Sequence, residues 1–388
     1  MRGKRETQPP MFFAINVEDR VRPDHPLRPL KKLVDEELGR MGGRFDAAYS
    51  DTGRPGVPPE RLLKALLLMA IYSVRSERQL AERIDTDLLF RRFLDMDPAE
   101  AVFDATAFTH DRPRLEKHGI VGAFFQGVVR RAMDAGLTSD DHFSVDGTLI
   151  ERATPRSRAS SRSRRRGSRT GRTGKTGKAT TAALRASNAE VDFHGKKRSN
   201  DTHASTTDPE ARLYKKGDGQ ATKLYHAGHA VAENRNGLVM AVDVTEAAGD
   251  AEPAAALSML DAMGEQFGVR PKTLAADKGY DGGPFLLELE GRVRPHVPTK
   301  DGPIGGAFAH KRKGQEAIEA RRRMRRRERT KGYGISQRCR KKVEEVFGWL
   351  KTVAGLCGTK LVGRWKIRQQ LQLAAAAYNL LRIRKLAA

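Results

Sequence analysis

A chain of 388 residues is long enough for two or three domains with full hydrophobic cores. Its 72 lysines and arginines against 48 aspartates and glutamates give a formal net charge of +24, which fits a polyanionic partner, most simply nucleic acid, with a generally basic proteome background as the competing reading. Cys339 and Cys357, at no paired spacing, exclude a disulfide framework or zinc knuckle, and no apolar run reaches membrane-spanning length, so a soluble protein in a reducing, cytoplasmic setting is expected.

Residues 1–45 are expected to form a leader that packs onto something larger. Met11-Phe12-Phe13-Ala14-Ile15 is apolar, Pro23, Pro26 and Pro29 punctuate the segment, and 30–41 reads as a short helix. From 46 to 135 the pattern is helical. After a turn at 53–56, Pro58-Pro59-Glu60 opens a helix to 71, with proline tolerated in the first turn and an acid at the positive end of the helix dipole. Ser76-Glu77-Arg78-Gln79 has capping-box spacing and starts a second helix to 84; 87–94, 105–117 and 120–135 follow. Compact helices with short links in a basic chain suggest a DNA-binding domain of helix-turn-helix type. Arg75, Arg78, Arg83, Arg91, Arg92, Arg112 and Arg114 are its candidate phosphate contacts. The alternative is that they are solvated outer faces of an ordinary bundle.

From 136 to 388 the pattern turns to strands and helices. Strands are expected at 141–145, 223–233, 237–244, 273–276 and 293–297, and helices at 251–267 and 283–291. Asn234-Arg235-Asn236-Gly237 joins the second and third strands, its Asn-Gly favouring a tight hairpin turn. Together these describe an α/β domain with a mixed sheet flanked by helices. An insertion at about 152–220 interrupts it. Within the insertion, 152–185 has ten Arg, two Lys and no acid, too little apolar surface to fold alone, and is expected to be a disordered basic arm for phosphate or a tolerated loop. A second basic run, 321–329, is read as an extension of the helix that follows it. The helical 365–386 is expected to pack back on that helix or on the sheet.

Three acids stand out. Asp146 and Asp277 each end a short apolar run and precede a glycine turn signal, as a carboxylate at a buried strand's exit would. In the helix beginning near Arg340, Val343, Val346, Phe347, Leu350 and Ala354 form one apolar stripe. At about 100° per residue, Arg340, Glu344 and Lys351 gather within roughly 40° beside it, while Glu345 points away. Two strand-end aspartates and one helix glutamate suit Mg²⁺, a hard cation that takes oxygen ligands. Three weaker signals compete. Asp281 rivals Asp277 but lies further from the strand end. His226 and His229, three apart in a strand, face opposite ways and make a poor zinc pair. Trp349 is either a base-stacking ring or helix packing.

The stretches "FSVDGT" at 143–148, "DFHGKKRSNDTHASTTDPEARLYKKG" at 192–217, "GHAVAENRNGLV" at 228–239, "ADKGYDG" at 276–282 and "RKKVEEVFGWLKT" at 340–352, with 53–94 in the helical part, resemble the DDE transposases of bacterial insertion sequences. The closest pattern is that of the fifth insertion-sequence family, within the larger group related to the fourth. The resemblance implies a ribonuclease-H-like catalytic domain with Asp146, Asp277 and Glu344 as catalytic and metal-binding residues. It also implies two Mg²⁺ or Mn²⁺ ions, roughly 3.5–4 Å apart, serving DNA strand cleavage and transfer. Arg340 and Lys351 would hold DNA phosphate. The partners implied are the element's terminal inverted repeats, the target DNA and a second copy in a synapsed homodimer, in a nucleoid-associated cytoplasmic protein. Gln337 stands where the family's signature has a tyrosine. A non-catalytic DNA-binding repressor, or a metal-dependent nuclease that stops after hydrolysis, remains the alternative.

Overall fold

Apolar spacing and local caps set the helices of the N-terminal region: α1 Val17–Arg20, α2 Leu27–Gly39, α3 Gly42–Ala48, α4 Pro59–Ile71, α5 Glu77–Thr86, α6 Leu88–Phe93 and α7 Thr106–Lys117. The computed structural model describes residues 16–50, 52, 56–152, 200, 205, 207–215, 222–301 and 312–387. The apolar 11–15 and the basic run 153–199 lie outside these residues. The capping box forms almost as the sequence reads. Ser76 Oγ accepts from the Gln79 N–H, while Gln79 Oε1 reaches back one residue further, to the Arg75 N–H. Leu30, Val34, Leu62, Leu63, Leu67, Leu80, Ile84 and Phe90 are fully buried and form the core of this region. The helix expected at 30–41 begins at Leu27 and buries its apolar face, so most of the expected leader is part of the folded unit.

The chain divides into two units, Met1–Met69 with Val74–His118 and Ala70–Ser73 with Gly119–Ala388. The division falls at 118/119, whereas the sequence reading set the domain boundary at 135. α8 Ile120–Asp134 lies in the second unit because its stripe of Ile120, Phe124, Phe125 and Val128 is buried against the C-terminal helix of that unit.

The second unit is a mixed sheet with helices. Its strands are β1 His142–Arg152, β2 Arg212–Tyr214, β3 Lys223–Glu233, β4 Val239–Glu246, β5 Thr273–Ala275, β6 Arg294–His296 and β7 Gly358–Thr359. Its helices after α8 are α9 Ala251–Phe267, α10 Gly283–Glu290, α11 Arg312–Arg327, α12 Lys331–Cys339, α13 Lys341–Thr352 and α14 Arg364–Leu386. β1 and β3 are central. β3 pairs antiparallel with β1 on one edge and with β2 and β4 on the other, while β5 runs parallel to both β1 and β6.

Several sequence expectations change here. β1 does not stop at Asp146 but continues through Gly147 to Arg152, because β3 offers it a register unbroken from Phe143↔Glu233 to Glu151↔Tyr225. The β3–β4 connection is wider than a two-residue turn. The Glu233 N–H donates to Leu238 O around four residues, and Gly237 takes a left-handed φ of 70° that suits glycine. The far end of the expected disordered insertion is ordered where it is described: β2 pairs alongside the start of β3, and Asp208 is buried against His226 (3.0 Å) and Arg152 (3.4 Å). The basic run 321–329 does not extend the following helix. It ends α11, and Thr330 then caps α12 through the Tyr333 N–H. α14 packs on β4, α8 and α13, as expected of the C-terminal segment, and the buried Asn379 amide bonds both the N–H and the carbonyl of Val239 (2.8 and 2.7 Å).

Candidate active site

β1 is covered unevenly on its second edge. β5 pairs with His142–Ser144 and β7 with Glu151 and Arg152, so among the described residues 145–150 have no strand partner on that side. Asp146 lies in this gap, at the point where β5 ends. The chain leaving β5 carries Asp277, which caps a short 3₁₀ turn at Lys278–Tyr280. Crevices beyond the carboxyl ends of parallel strands, where neighbouring connections diverge, are the usual ligand positions of α/β sheets.

Each aspartate has one oxygen held by backbone. Asp146 Oδ1 accepts from the Gly147 N–H at 2.9 Å, and Asp277 Oδ1 from the Gly279 N–H at 2.8 Å. α13 approaches from the face to which Asp146 points. Its Val343, Val346, Phe347 and Leu350 are buried, as the apolar stripe required, while Glu344 and Glu345 are exposed. Arg340, at the junction of α12 and α13, bridges the cluster: its guanidinium is 2.6 Å from Glu344 Oε1 and 3.8 Å from Asp146 Oδ2. Burial pushes the Asp146 carboxyl up to about 6. The Gly147 N–H and Arg340 oppose that shift, and the negative charges of Asp277 and Glu344 reinforce it.

All donors in this cluster are hard carboxylate oxygens, their charge exceeds the nearby cation, and Arg340 sits between two of them as a positive ion would. That composition fits a divalent cation. As placed, no three acidic, histidine or cysteine side chains among the described residues stand close enough to enclose one ion, and Glu344 is turned to Arg340.

The competing signals resolve. Asp281 is a structural anchor: its buried carboxylate accepts from Arg321 Nη2 at 2.6 Å and from the Lys300 N–H at 2.6 Å. His226 turns to Asp208 and His229 to Thr245 Oγ1 (2.7 Å), on opposite faces of β3. Trp349 packs edge-on against Tyr378 at 5.6 Å. Gln337, in place of the signature tyrosine, donates to the carbonyls of His296 and Ala276, tying α12 to the ends of β5 and β6 just before Asp277. Lys351 is half-buried in the last turn of α13.

The arginines of the first unit separate into two groups. Arg75 and Arg78 are exposed, and Arg114 is half-exposed with its guanidinium over the Tyr49 ring at 4.4 Å. Arg83 lies over the Phe90 ring. Arg112 is buried against Glu77, Arg91 is buried on Asp85 and the carbonyls of Asp97 and Glu100, and Arg92 pairs with Glu18. Arg112, Arg91 and Arg92 are therefore corrected as phosphate contacts. Their charge is taken up by acids inside the unit, which helical phase alone could not reveal.

One acid next to this cluster has no counterpart in the sequence reading. Glu252, in the first turn of α9, lies against β1 beside Asp146: a Cβ added to Gly147 would stand 2.5 Å from Glu252 Oε1. An acid in a first turn ordinarily reads as a dipole partner, so no local signal distinguishes it.

Residues 15–114 match the family model described as a transposase domain (DUF772), and residues 137–380 match the transposase DDE domain, which spans more than half of the chain. No curated protein and no solved structure matches the chain. The second match covers Asp146, Asp277 and Glu344, and with the first it accounts for both units; the chain belongs to the DDE transposases and is an insertion-sequence transposase, an enzyme of DNA cleavage and transposition.

Proposed function

We propose that Asp146, Asp277 and Glu344 are the three acids that bind the divalent cations of this transposase, two Mg²⁺ or Mn²⁺ ions per site, on a ribonuclease-H-like fold. The observation that carries this reading is Arg340. One guanidinium is shared by Asp146 from the sheet and Glu344 from α13, and the charge of Asp277 acts on the same Asp146 carboxylate at the open edge of β1. When bound, the ions neutralise charge on the transferring phosphate and activate the attacking oxygen.

The residues themselves do the positioning. Gly147 and Gly279 fix one oxygen of each aspartate, and the other is the one that would meet an ion. The buried stripe of α13 keeps Glu344 on the same side as Asp146. Arg340 exchanges its carboxylate partners for phosphate oxygens as DNA enters, a role for which its planar fork of donors is suited, and Lys351 adds a second cation on the same helix. In the first unit, the exposed Arg75 and Arg78, with Arg114, take backbone phosphates of the element ends. The substrates are the terminal inverted repeats and the target duplex, joined in a synapsed homodimer.

Incubating the protein with end DNA of its element and Mg²⁺ tests the reading. Strand-specific nicks at the element boundary, followed by joining to a second duplex, are expected. Nicks without joining would favour the nuclease alternative. Binding without nicks in either Mg²⁺ or Mn²⁺ would end the catalytic reading.

A further inference from the structure

The Glu252 carboxylate is half-buried against the β1 backbone, in the space that Gly147 leaves by having no side chain. Among the described residues, no hydrogen-bond donor or cation meets it. A carboxylate withdrawn from water without a partner is costly, and most acids so placed are paired or bind metal. Burial raises it to about 6, and the neighbouring charges of Asp277 and Asp146 push the same way.

Beneath these acids lies a second unpaired group. Tyr280 is fully buried, its hydroxyl has no hydrogen-bond partner, and Glu252, Asp146 and Asp277 are the charges that act on it. Strand alternation turns the position of Gly147 to the face opposite Asp146, so α9 and α13 reach β1 from opposite sides. The edge at 145–150 between the two faces has no strand partner among the described residues on that side, and Asp146, Asp277 and Glu252 are near enough for their charges to act on one another.

Building on the active-site reading above, we propose that Glu252 is a fourth carboxylate of the metal site, acting with Asp146 and Asp277 from the face of the sheet opposite Glu344. Mg²⁺ retains several waters and takes only one or two carboxylates directly, so acids too widely spaced to form a closed cage still serve it, in part through those waters. Gly147 makes room for this ligand. Tyr280 places a buried, unpaired phenol within reach of their charges.

Titration of the full-length protein with Mn²⁺ in the absence of DNA, following free Mn²⁺ by electron paramagnetic resonance, tests the proposal. Glu252→Gln keeps the shape and removes the charge; its affinity for Mn²⁺ should fall roughly ten- to a hundredfold. In chelator its melting temperature should equal or exceed that of the wild type, since an uncompensated charge has been removed. Gly147→Ala, which displaces the Glu252 side chain without altering its charge, should weaken Mn²⁺ comparably. Asp146→Asn separates the two hypotheses. If Asp146→Asn loses Mn²⁺ while Glu252→Gln and Gly147→Ala bind like the wild type, Glu252 is not a ligand and the three-acid site stands. If none of the three loses Mn²⁺, the three-acid site falls as well.

Discussion

Charge is handled in opposite ways in the helical unit and at the open edge of β1. In the helical unit the buried ions are matched: Lys64 lies between Asp35 and Asp95, Arg112 meets Glu77, and Arg91 has a carboxylate and three carbonyls. At the open edge of β1 the acids gather with too little positive charge, and both Asp146 and Glu252 are pushed up to about 6. Matched ions are the signature of a scaffold. Like charges held together without enough counterions require a stabilising force from elsewhere in the fold, and such clusters are concentrated at functional sites.

Two aspartates four residues apart put this contrast to the sharpest test. Asp277→Asn should reduce Mg²⁺-dependent end cleavage by about a thousandfold or more, equivalent to several kcal/mol of lost charge stabilisation, with thermal stability in chelator unchanged or raised. Asp281→Asn should do the reverse. Removing one partner of its buried pair with Arg321 should cost about 3 kcal/mol of stability, while the folded fraction still cleaves. Equal loss of cleavage at matched folded fraction would erase the distinction between them.

Arg112→Met addresses the same contrast from the helical side. Stranding Glu77 should lower stability by about 3 kcal/mol in urea titrations, yet leave DNA affinity per folded molecule unaltered. A selective loss of binding would return Arg112 to the DNA interface.

His229 gives a pH-dependent test. Burial holds its imidazole down to about 4, against about 6.5 when unfolded. The unfolded chain therefore binds the extra proton between those values. The stability from keeping His229 neutral is fully present above pH 6.5 and is lost as pH falls toward 4, on the order of 3 kcal/mol. Comparing urea midpoints at pH 7 and 4.5 in wild type and His229→Gln isolates this part; identical pH slopes would exclude it.

Smaller effects belong to the surface. Arg78→Ala should weaken binding evenly across sequences and reduce the salt slope by about 1. Glu345→Ala, on the exposed face of α13, should change stability by less than about 0.5 kcal/mol and leave cleavage near wild type. If Glu345 instead proved essential and Glu344 dispensable, the helical phase of the site would be reversed.

The sequence by itself determined what depends on neighbours a few residues apart. Helix starts at Pro59 and Ser76, the buried stripe of α13 with Glu344 beside it, and the opposed imidazoles of His226 and His229 all follow from local caps and from periods of 3.6 or 2. The acids of the three motifs were legible for the same reason: each ends or borders a short apolar pattern. Only the tertiary structure decided what rests on pairing across the chain. β1 runs past Asp146 because β3, about eighty residues later, continues its ladder, so a glycine that looks like a turn is instead the space for Glu252. Arg112 is a scaffold ion because Glu77 comes to it from another helix, and Asp281 because Arg321 does. Such contacts join residues far apart in sequence, and nothing in the local pattern marks their partners.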